Sequence, residues 1–268
     1  MNGDASDNHL YIEQLNAVLA SSSNIVFFGG AGVSTESGIP DFRSAGGLYS
    51  STRGGTRNAV PAEQTFPSEP TIPPEKILSH SFFMANTETF FSYYRANILH
   101  LGAAPNPAHL KLAEMERDGR LSAVVTQNID GLHQKAGSKN VVELHGSVHR
   151  NNCLRCGQSY DVGYIARSEG VPTCDCGGIV KPGVVLYEES LNQDDIALAI
   201  KYIRQADVLI IGGTSLVVYP AAGLVQYYRG DKLIIINKSG TDSDSRALMV
   251  IRHGIGEVMS KVDIPKTR

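Results

Sequence analysis

Apolar residues recur along this chain in two rhythms. Over residues 9–20, HLYIEQLNAVLA, the positions Leu10, Leu15, Val18 and Leu19 fall at helical spacing, and the run NIVFF (24–28) follows as a short buried strand. The runs LSAVV (121–125), ADVLII (206–211) and KLIII (232–236) repeat the strand pattern, with helical text at 107–117, 193–204 and 219–228. Strands that are apolar throughout, alternating with helices, predict an α/β fold: a Rossmann-like, mostly parallel sheet covered by helices on both faces.

Two stretches break that rhythm. Residues 44–74 are rich in Gly, Ser, Thr and Pro and predict a long loop, of the kind that often serves as a lid. They lead into helical text at 75–101, where Phe82, Phe83, Phe90, Phe91 and Tyr94 supply an apolar face. The second stretch, 147–183, holds all four cysteines. Both read as insertions forming a smaller domain. The expected division is a sheet domain of 1–43, 102–146 and 184–268, a lid loop and helical module at 44–101, and a ribbon at 147–183. No internal repeat interrupts it.

With 268 residues, 42% of them apolar, the chain can bury one large core and a smaller one. A net charge of −3 without a Lys/Arg run gives no electrostatic reason to expect a nucleic acid or an anionic membrane as partner. The start MNGDASDNHL lacks the basic and apolar segments of a signal peptide, and no segment approaches the roughly 18 apolar residues of a membrane span. A cytoplasmic location is therefore expected. In a reducing compartment the close pairs Cys153/Cys156 and Cys174/Cys176 read as metal ligands before disulfides. Four thiolates in two short turns suit a closed, tetrahedral, structural Zn2+ site, although the CxC pair is tighter than the commoner CxxC.

The remaining chemistry sits where strands end. NIVFF runs into Gly30-Ala31-Gly32, where glycines permit a tight turn and a close approach to a pyrophosphate met by the next helix. The loop departs from GxGxxG, since Thr35 stands at the third glycine and no acidic residue ends a second strand about 20 residues on, which disfavours a hydride-transferring dehydrogenase. The run VLIIGGTS puts Gly213, Thr214 and Ser215 at a second strand end, and Asn237 closes a third; such groups suit phosphate and ribose. TQNID (126–130) follows LSAVV, and VVELHGS (141–147) comes next, so Asn128, Asp130 and His145 can orient a ribose and accept a proton. By default a His between Leu and Gly is structural, and His133, at a helix start, reads as structural too. The GxSxG elbow, Walker loop and HExxH are absent from the sequence.

Taken in order, GAGVS (30–34), GIPDFR (38–43), TQNID (126–130), LHG (144–146), the cysteine pairs, KPGVVLYEE (181–189), GTSL (213–216) and IIIN (234–237) resemble the sirtuins, NAD-dependent protein deacylases, of the bacterial type. The resemblance runs from about residue 10 to 262. It implies that His145 is the general base, with Asn128 and Asp130 catalytic beside it. It also implies that NAD is the co-substrate, contacted by Gly30, Ala31, Gly32, Thr35, Asp41, Phe42, Arg43, Gln127, Asn128, Ile129, Asp130, His145, Gly213, Thr214, Ser215, Asn237 and Ile255, with Phe42, Ile129 and Asp130 lining the nicotinamide pocket.

In sirtuins the acyl oxygen of the modified lysine attacks the ribose carbon that bears nicotinamide, and the histidine deprotonates a ribose hydroxyl. The products are nicotinamide, O-acyl-ADP-ribose and free lysine. The implied partners are acetylated lysine-containing proteins, bound as an added strand between Val184, Val185, Leu186 and Tyr187 and the chain after Ser215, with the enzyme a monomer.

Gly183, Tyr187 and Glu188 depart from the Asp or His, Phe and Gly common at those places, and the loop 51–74 is longer than the family leads one to expect. Sirtuins that favour acidic acyl groups carry a Tyr and an Arg three residues apart. FFSYYR (90–95) supplies Arg95 but Ser92 in place of the Tyr, which implies a preference for acetyl and leaves Arg95 to turn to solvent or Glu88. Two other readings fit the scaffold, a mono-ADP-ribosyltransferase and a non-catalytic NAD or ADP-ribose sensor; the intact Asn128, Asp130 and His145 argue against the sensor.

Overall fold

In the computed structural model, the described residues are 3–42, 47 and 72–265, with side chains described from residue 10 onward. In chain order the helices are α1 (Gly3–Ala20), α2 (Pro74–Ile77), α3 (His80–Ala85), α4 (Thr87–Asn97), α5 (Pro107–Arg117), α6 (Leu132–Ala136), α7 (Val162–Arg167), α8 (Gln193–Gln205) and α9 (Ile255–Ser260). The strands are β1 (Ile25–Gly29), β2 (Leu121–Thr126), β3 (Val141–Glu143), β4 (Gly146–Cys153), β5 (Ser159–Tyr160), β6 (Val180–Val184), β7 (Val208–Gly212), β8 (Lys232–Ile236) and β9 (Met249–Ile251). The chain divides into two compact units, one of residues 1–39, 101–149 and 191–268, the other of 40–100 and 150–190.

The first unit is built on a six-stranded sheet of order β3-β2-β1-β7-β8-β9, parallel at every described pairing. Every residue of β1 and β7 is buried, as their β-branched and aromatic composition requires of strands covered on both faces. Leu15 and Leu19 of α1, Leu112 and Met115 of α5, and Val258 and Met259 of α9 pack with Phe27, Val124, Ile210 and Ile234 in one core cluster. The alternate strand residues Val26, Phe28, Leu209 and Ile211 are also fully buried, and α8 packs against β2 and β3. Strand order reverses on the two sides of β1, so the carboxyl ends of β1, β2 and β7 form the crevice in which such sheets bind ligands. The helical text at 219–228 is a 3-10 segment, Ala221–Tyr227, and the edge strand β9 was not singled out in the sequence although it lies in the apolar run ALMVI (247–251).

The second unit holds the end of β4 from residue 150 with β5 and β6, in a three-stranded sheet of order β5-β4-β6, and the helices α2, α3, α4 and α7. The helical text at 75–101 is broken into three helices. Ser79 caps α3 by accepting from the Phe82 N–H, and Asn86 interrupts the path before α4. Phe83, Phe90 and Phe91 meet edge to face at ring-centroid distances of 4.9 to 6.0 Å, which gives this unit its own aromatic core.

Candidate active site

The glycine loops close on each other. Gly32 N–H donates to the Gly213 carbonyl at 2.7 Å and Gly30 N–H to the Gly212 carbonyl at 3.3 Å. A Cβ on Gly32 would stand 2.8 Å from Gly213 Cα, and Gly213 itself adopts φ +58 and would place a Cβ 2.4 Å from Val33 N. These glycines are therefore required by the contact between the β1 and β7 loops. The tight turn expected from the sequence is thus also a close loop-to-loop contact, in which the Gly30 and Gly32 amides donate to carbonyls. Thr35 Oγ donates back to the Gly32 carbonyl at 3.0 Å. Ser215 is exposed and Asn237 half-buried, its Nδ2 donating to the Ser239 carbonyl. The Ile255 side chain lies in the core and would collide with any Cβ on Gly212, so only its main chain can face a ligand.

Around the end of β2 the polar groups interlock. Gln127 N–H donates to the Gly29 carbonyl, and its Nε2 reaches Thr214 Oγ1 at 3.2 Å, joining the ends of β1, β2 and β7. Asn128 is buried; its N–H donates to Thr126 Oγ1, and its Nδ2 donates to Ser34 Oγ at 3.1 Å. Ser34 Oγ in turn donates to Asp130 Oδ2 at 2.6 Å, while Leu132 N–H donates to Asp130 Oδ1 at 2.9 Å. Asp130 is thus held by two donors, and Gly131, at φ +71, turns the chain away where a Cβ would meet His149. Ser34, only 1% exposed, was not singled out in the sequence although GAGVS contains it.

His145 follows β3. Its Nδ1–H donates to the Gln127 carbonyl at 2.9 Å, so Nε2 carries the lone pair. Burial lowers its pKa below the ordinary histidine range, against a smaller upward pull from that hydrogen bond. Two further histidines lie buried in this unit. His109 and His133 have ring centroids 4.7 Å apart; burial pushes His109 down to about 4 despite the attraction of Asp130, and His133 down to about 3. His133 is the structural residue that the sequence implied.

In the second unit the four Sγ atoms of Cys153, Cys156, Cys174 and Cys176 lie within 4.8 Å of one another, with Cys153 to Cys176 and Cys156 to Cys174 each at 3.5 Å. Tetrahedral zinc with Zn–S bonds of about 2.3 Å needs sulfurs about 3.8 Å apart, so the four thiols fit a structural Zn2+. Gly178 permits the approach, since a Cβ there would stand 2.6 Å from Cys153 Sγ.

Asp41 and Phe42 are half-buried in this second unit, and Arg43 lies outside the described residues. The loop 51–74 falls outside them except for its last three residues, 72–74.

The edge from Val184 to Tyr187 is less open than the sequence implied. Tyr187 N–H donates to the Leu78 carbonyl and the Tyr187 carbonyl accepts from His80 N–H; Leu186 N–H donates to Glu189 Oε2 and its carbonyl accepts from Glu189 N–H. Among the described residues the main chain of Val185 makes no hydrogen bond. Two departures find reasons here. A Cβ on Gly183 would stand 2.1 Å from the Arg150 carbonyl oxygen, and Glu188, at φ +75, is held by Ser81 N–H and Oγ at 2.8 and 3.0 Å.

A doubly wound parallel sheet that gathers glycine loops, an Asn–Ser–Asp chain and an imidazole at one edge, together with a four-thiolate ribbon, defines a zinc-binding protein of the dinucleotide-binding class. Residues 30–220 match the model of the Sir2 family, and the chain belongs to that family. It is 56% identical to an NAD-dependent protein deacetylase of Clostridium acetobutylicum over 94% of this chain and 97% of that protein, and 50% identical to one of Cutibacterium acnes over 93% and 96%. Among solved structures, a Sir2 homolog–NAD complex superposes with a TM-score of 0.79 at 36% identity, covering 93% of this chain and 91% of the other. A Sir2–p53 peptide–NAD+ complex gives 0.78 at 36% identity, covering 94% and 96%.

Proposed function

We propose that this chain is an NAD-dependent protein-lysine deacetylase, converting an acetyl-lysine protein and NAD to free lysine, nicotinamide and O-acetyl-ADP-ribose. The observation that carries the reading is the 2.9 Å bond from His145 Nδ1 to the Gln127 carbonyl, which leaves Nε2 unprotonated at the edge where the polar strand ends meet. NAD supplies an electrophilic ribose carbon and nicotinamide as leaving group. The residues do the rest. His145 Nε2 takes the proton of a ribose hydroxyl, Asn128 orients the ribose, and Asp130, held by Ser34 and Leu132, meets nicotinamide together with Ile129.

Gly30, Ala31, Gly32, Thr35, Gln127, Gly213, Thr214, Ser215, Asn237 and the main chain of Ile255 hold the remainder of the dinucleotide in this reading, and the proposed contacts extend to Asp41, Phe42 and Arg43. A peptide adds as a strand beside Val185, a mode that reads backbone and gives modest sequence selectivity. The Zn2+ is structural, because four thiolates leave no open position on the metal. We also place the enzyme in the cytoplasm, a reading supported by four cysteines that form no disulfide, and read it as a monomer. Among the described residues no helix is long and apolar enough to cross a membrane. The division at 44–101 and 147–183 into lid module and ribbon belongs to the same proposal.

The test is mass spectrometry of an acetyl-lysine peptide with labelled NAD. Label in soluble O-acetyl-ADP-ribose, with stoichiometric loss of acetyl, is the expected result. Label attached to the protein acceptor with acetyl retained would make the chain a mono-ADP-ribosyltransferase, and bound, unconverted NAD would make it a sensor.

A further inference from the structure

The helix α5 begins at Asn106, and a helix start needs only an oxygen there. Asn106 Oδ1 accepts from Ala108 N–H at 2.9 Å, and His109 Nδ1 accepts from Asn106 N–H at 3.3 Å, which closes a capping box. Ser, Asp or Thr would cap as well. The amide nitrogen is superfluous to the helix, yet it is the half with the longer reach. Nδ2 donates to the Val33 carbonyl at 2.7 Å and to Ser37 Oγ at 3.0 Å, 73 and 69 residues away in the chain. Asn106 is 5% exposed, so these bonds form away from water.

The Val33 carbonyl belongs to the same planar peptide unit as the Ser34 N–H. That N–H donates to the Ala31 carbonyl at 3.0 Å, so the peptide plane is held from both sides. Fixing the plane directs the Ser34 side chain, whose Oγ accepts from Asn128 and donates to Asp130. The Ser37 bond secures the next turn of the same loop.

We infer that Asn106 is a positioning residue: by clamping the Val33–Ser34 peptide through Nδ2 it holds Ser34 between Asn128 and Asp130. This rests on the proposed work of Asn128 and Asp130 at the nicotinamide ribose. The sequence PNPAH displays the helix start and hides the clamp, because the partner carbonyl belongs to main chain far away in sequence.

Three variants separate the clamp from the cap. Asn106→Ser and Asn106→Asp keep an oxygen for Ala108 N–H; the Ser hydroxyl is too short to reach the Val33 carbonyl and the Asp carboxylate has no N–H to give it, while Asn106→Ala loses the cap as well. The expected result is that the Ser variant melts within a few degrees of the parent and the Asp variant lower, while both lose about ten to about a hundredfold in kcat/KM for NAD. Hydrogen exchange should rise over 30–39 and stay unchanged over 107–117, while the Ala variant loosens both. In a Ser34→Ala background, adding Asn106→Ser should cost little more, since the two act as one unit.

Parental kcat/KM and unchanged exchange over 30–39 in the Ser and Asp variants would overturn the inference and leave Asn106 a helix cap. Additive losses in the double variant would overturn the route through Ser34. If instead Asn128→Ala and Asp130→Ala turn over normally, the site reading has failed, and the exchange measurement still decides whether the clamp exists.

Discussion

His145 donates through Nδ1 to the carbonyl of Gln127 at 2.9 Å, and this bond decides which ring nitrogen can act as a base. Burial lowers the imidazole pKa, so at neutral pH the ring is uncharged and Nε2 is ready to accept. Because a lowered pKa keeps the base deprotonated to lower pH, the acid limb of kcat/KM should have its midpoint below about 6.5 and the rate should be flat through pH 7. His145→Ala should reduce turnover by at least about a hundredfold while NAD still binds by calorimetry. An unchanged rate would remove His145 from the mechanism.

Zinc should be present at one equivalent in freshly purified, reduced protein. Stripping it with a chelator, or Cys153→Ala or Cys174→Ala, should lower Tm by more than about 5 °C before any effect on chemistry separable from unfolding. Metal analysis that finds no zinc would refute the site.

The buried pair His109 and His133 should make the protein acid-sensitive. Their folded pKa values, about 4 and about 3, lie below the unfolded value, so the unfolded chain takes up their protons first as pH falls. Above about 6.5 neither contributes; below it each removes about 1.4 kcal/mol of stability per pH unit until its folded pKa is reached. Three ring nitrogens, His109 Nε2 and both of His133, have no hydrogen-bond partner among the described residues, so nothing there offsets the lost charge. Urea melts at pH 6 and pH 5 should show this loss, and His133→Leu should reduce the slope, with His109 and His145 supplying the remainder. A slope untouched by the substitution would contradict the assignment.

Acetyl-lysine should be preferred over succinyl-lysine. Arg95, the available half of an acid clamp, donates from Nε to the Ile165 carbonyl at 2.9 Å and from Nη2 to the Gly170 carbonyl at 2.6 Å, and lies over the Phe91 ring. It turns neither to solvent nor to Glu88, but to two carbonyls that satisfy it. Ser92 is exposed and too short to supply the missing hydroxyl, and Tyr94 is buried in the aromatic core. A buried carboxylate without a cationic partner is costly. The ratio of kcat/KM for acetyl and succinyl forms of one peptide should favour acetyl, and Ser92→Tyr alone should leave it unchanged, because Arg95 stays on its two carbonyls. Equal rates on the parent would sink the argument.

The parallel sheet was legible in the chain because β1, β7 and β8 must be apolar on both faces, a demand written continuously into IVFFG, VLIIG and KLIII. The thiolate set was legible because its ligands come from two short turns whose spacing alone brings each pair together. His145 was harder: between Leu and Gly it reads as structural, and only the order of the surrounding motifs lifted it.

What the chain by itself determined, then, is whatever local periodicity or short spacing encodes: the strands, the helix starts, the cysteine pairs and the polar residues that follow each strand. What tertiary structure alone decided are relationships across long sequence separations. The glycines of two loops meet each other, Arg95 is taken by two carbonyls, Tyr187 spends its backbone on Leu78 and His80, and Asn106 reaches Val33. The reason is physical. A main-chain carbonyl is the same at every position, so the sequence cannot mark which one a distant donor will find until packing brings the two together.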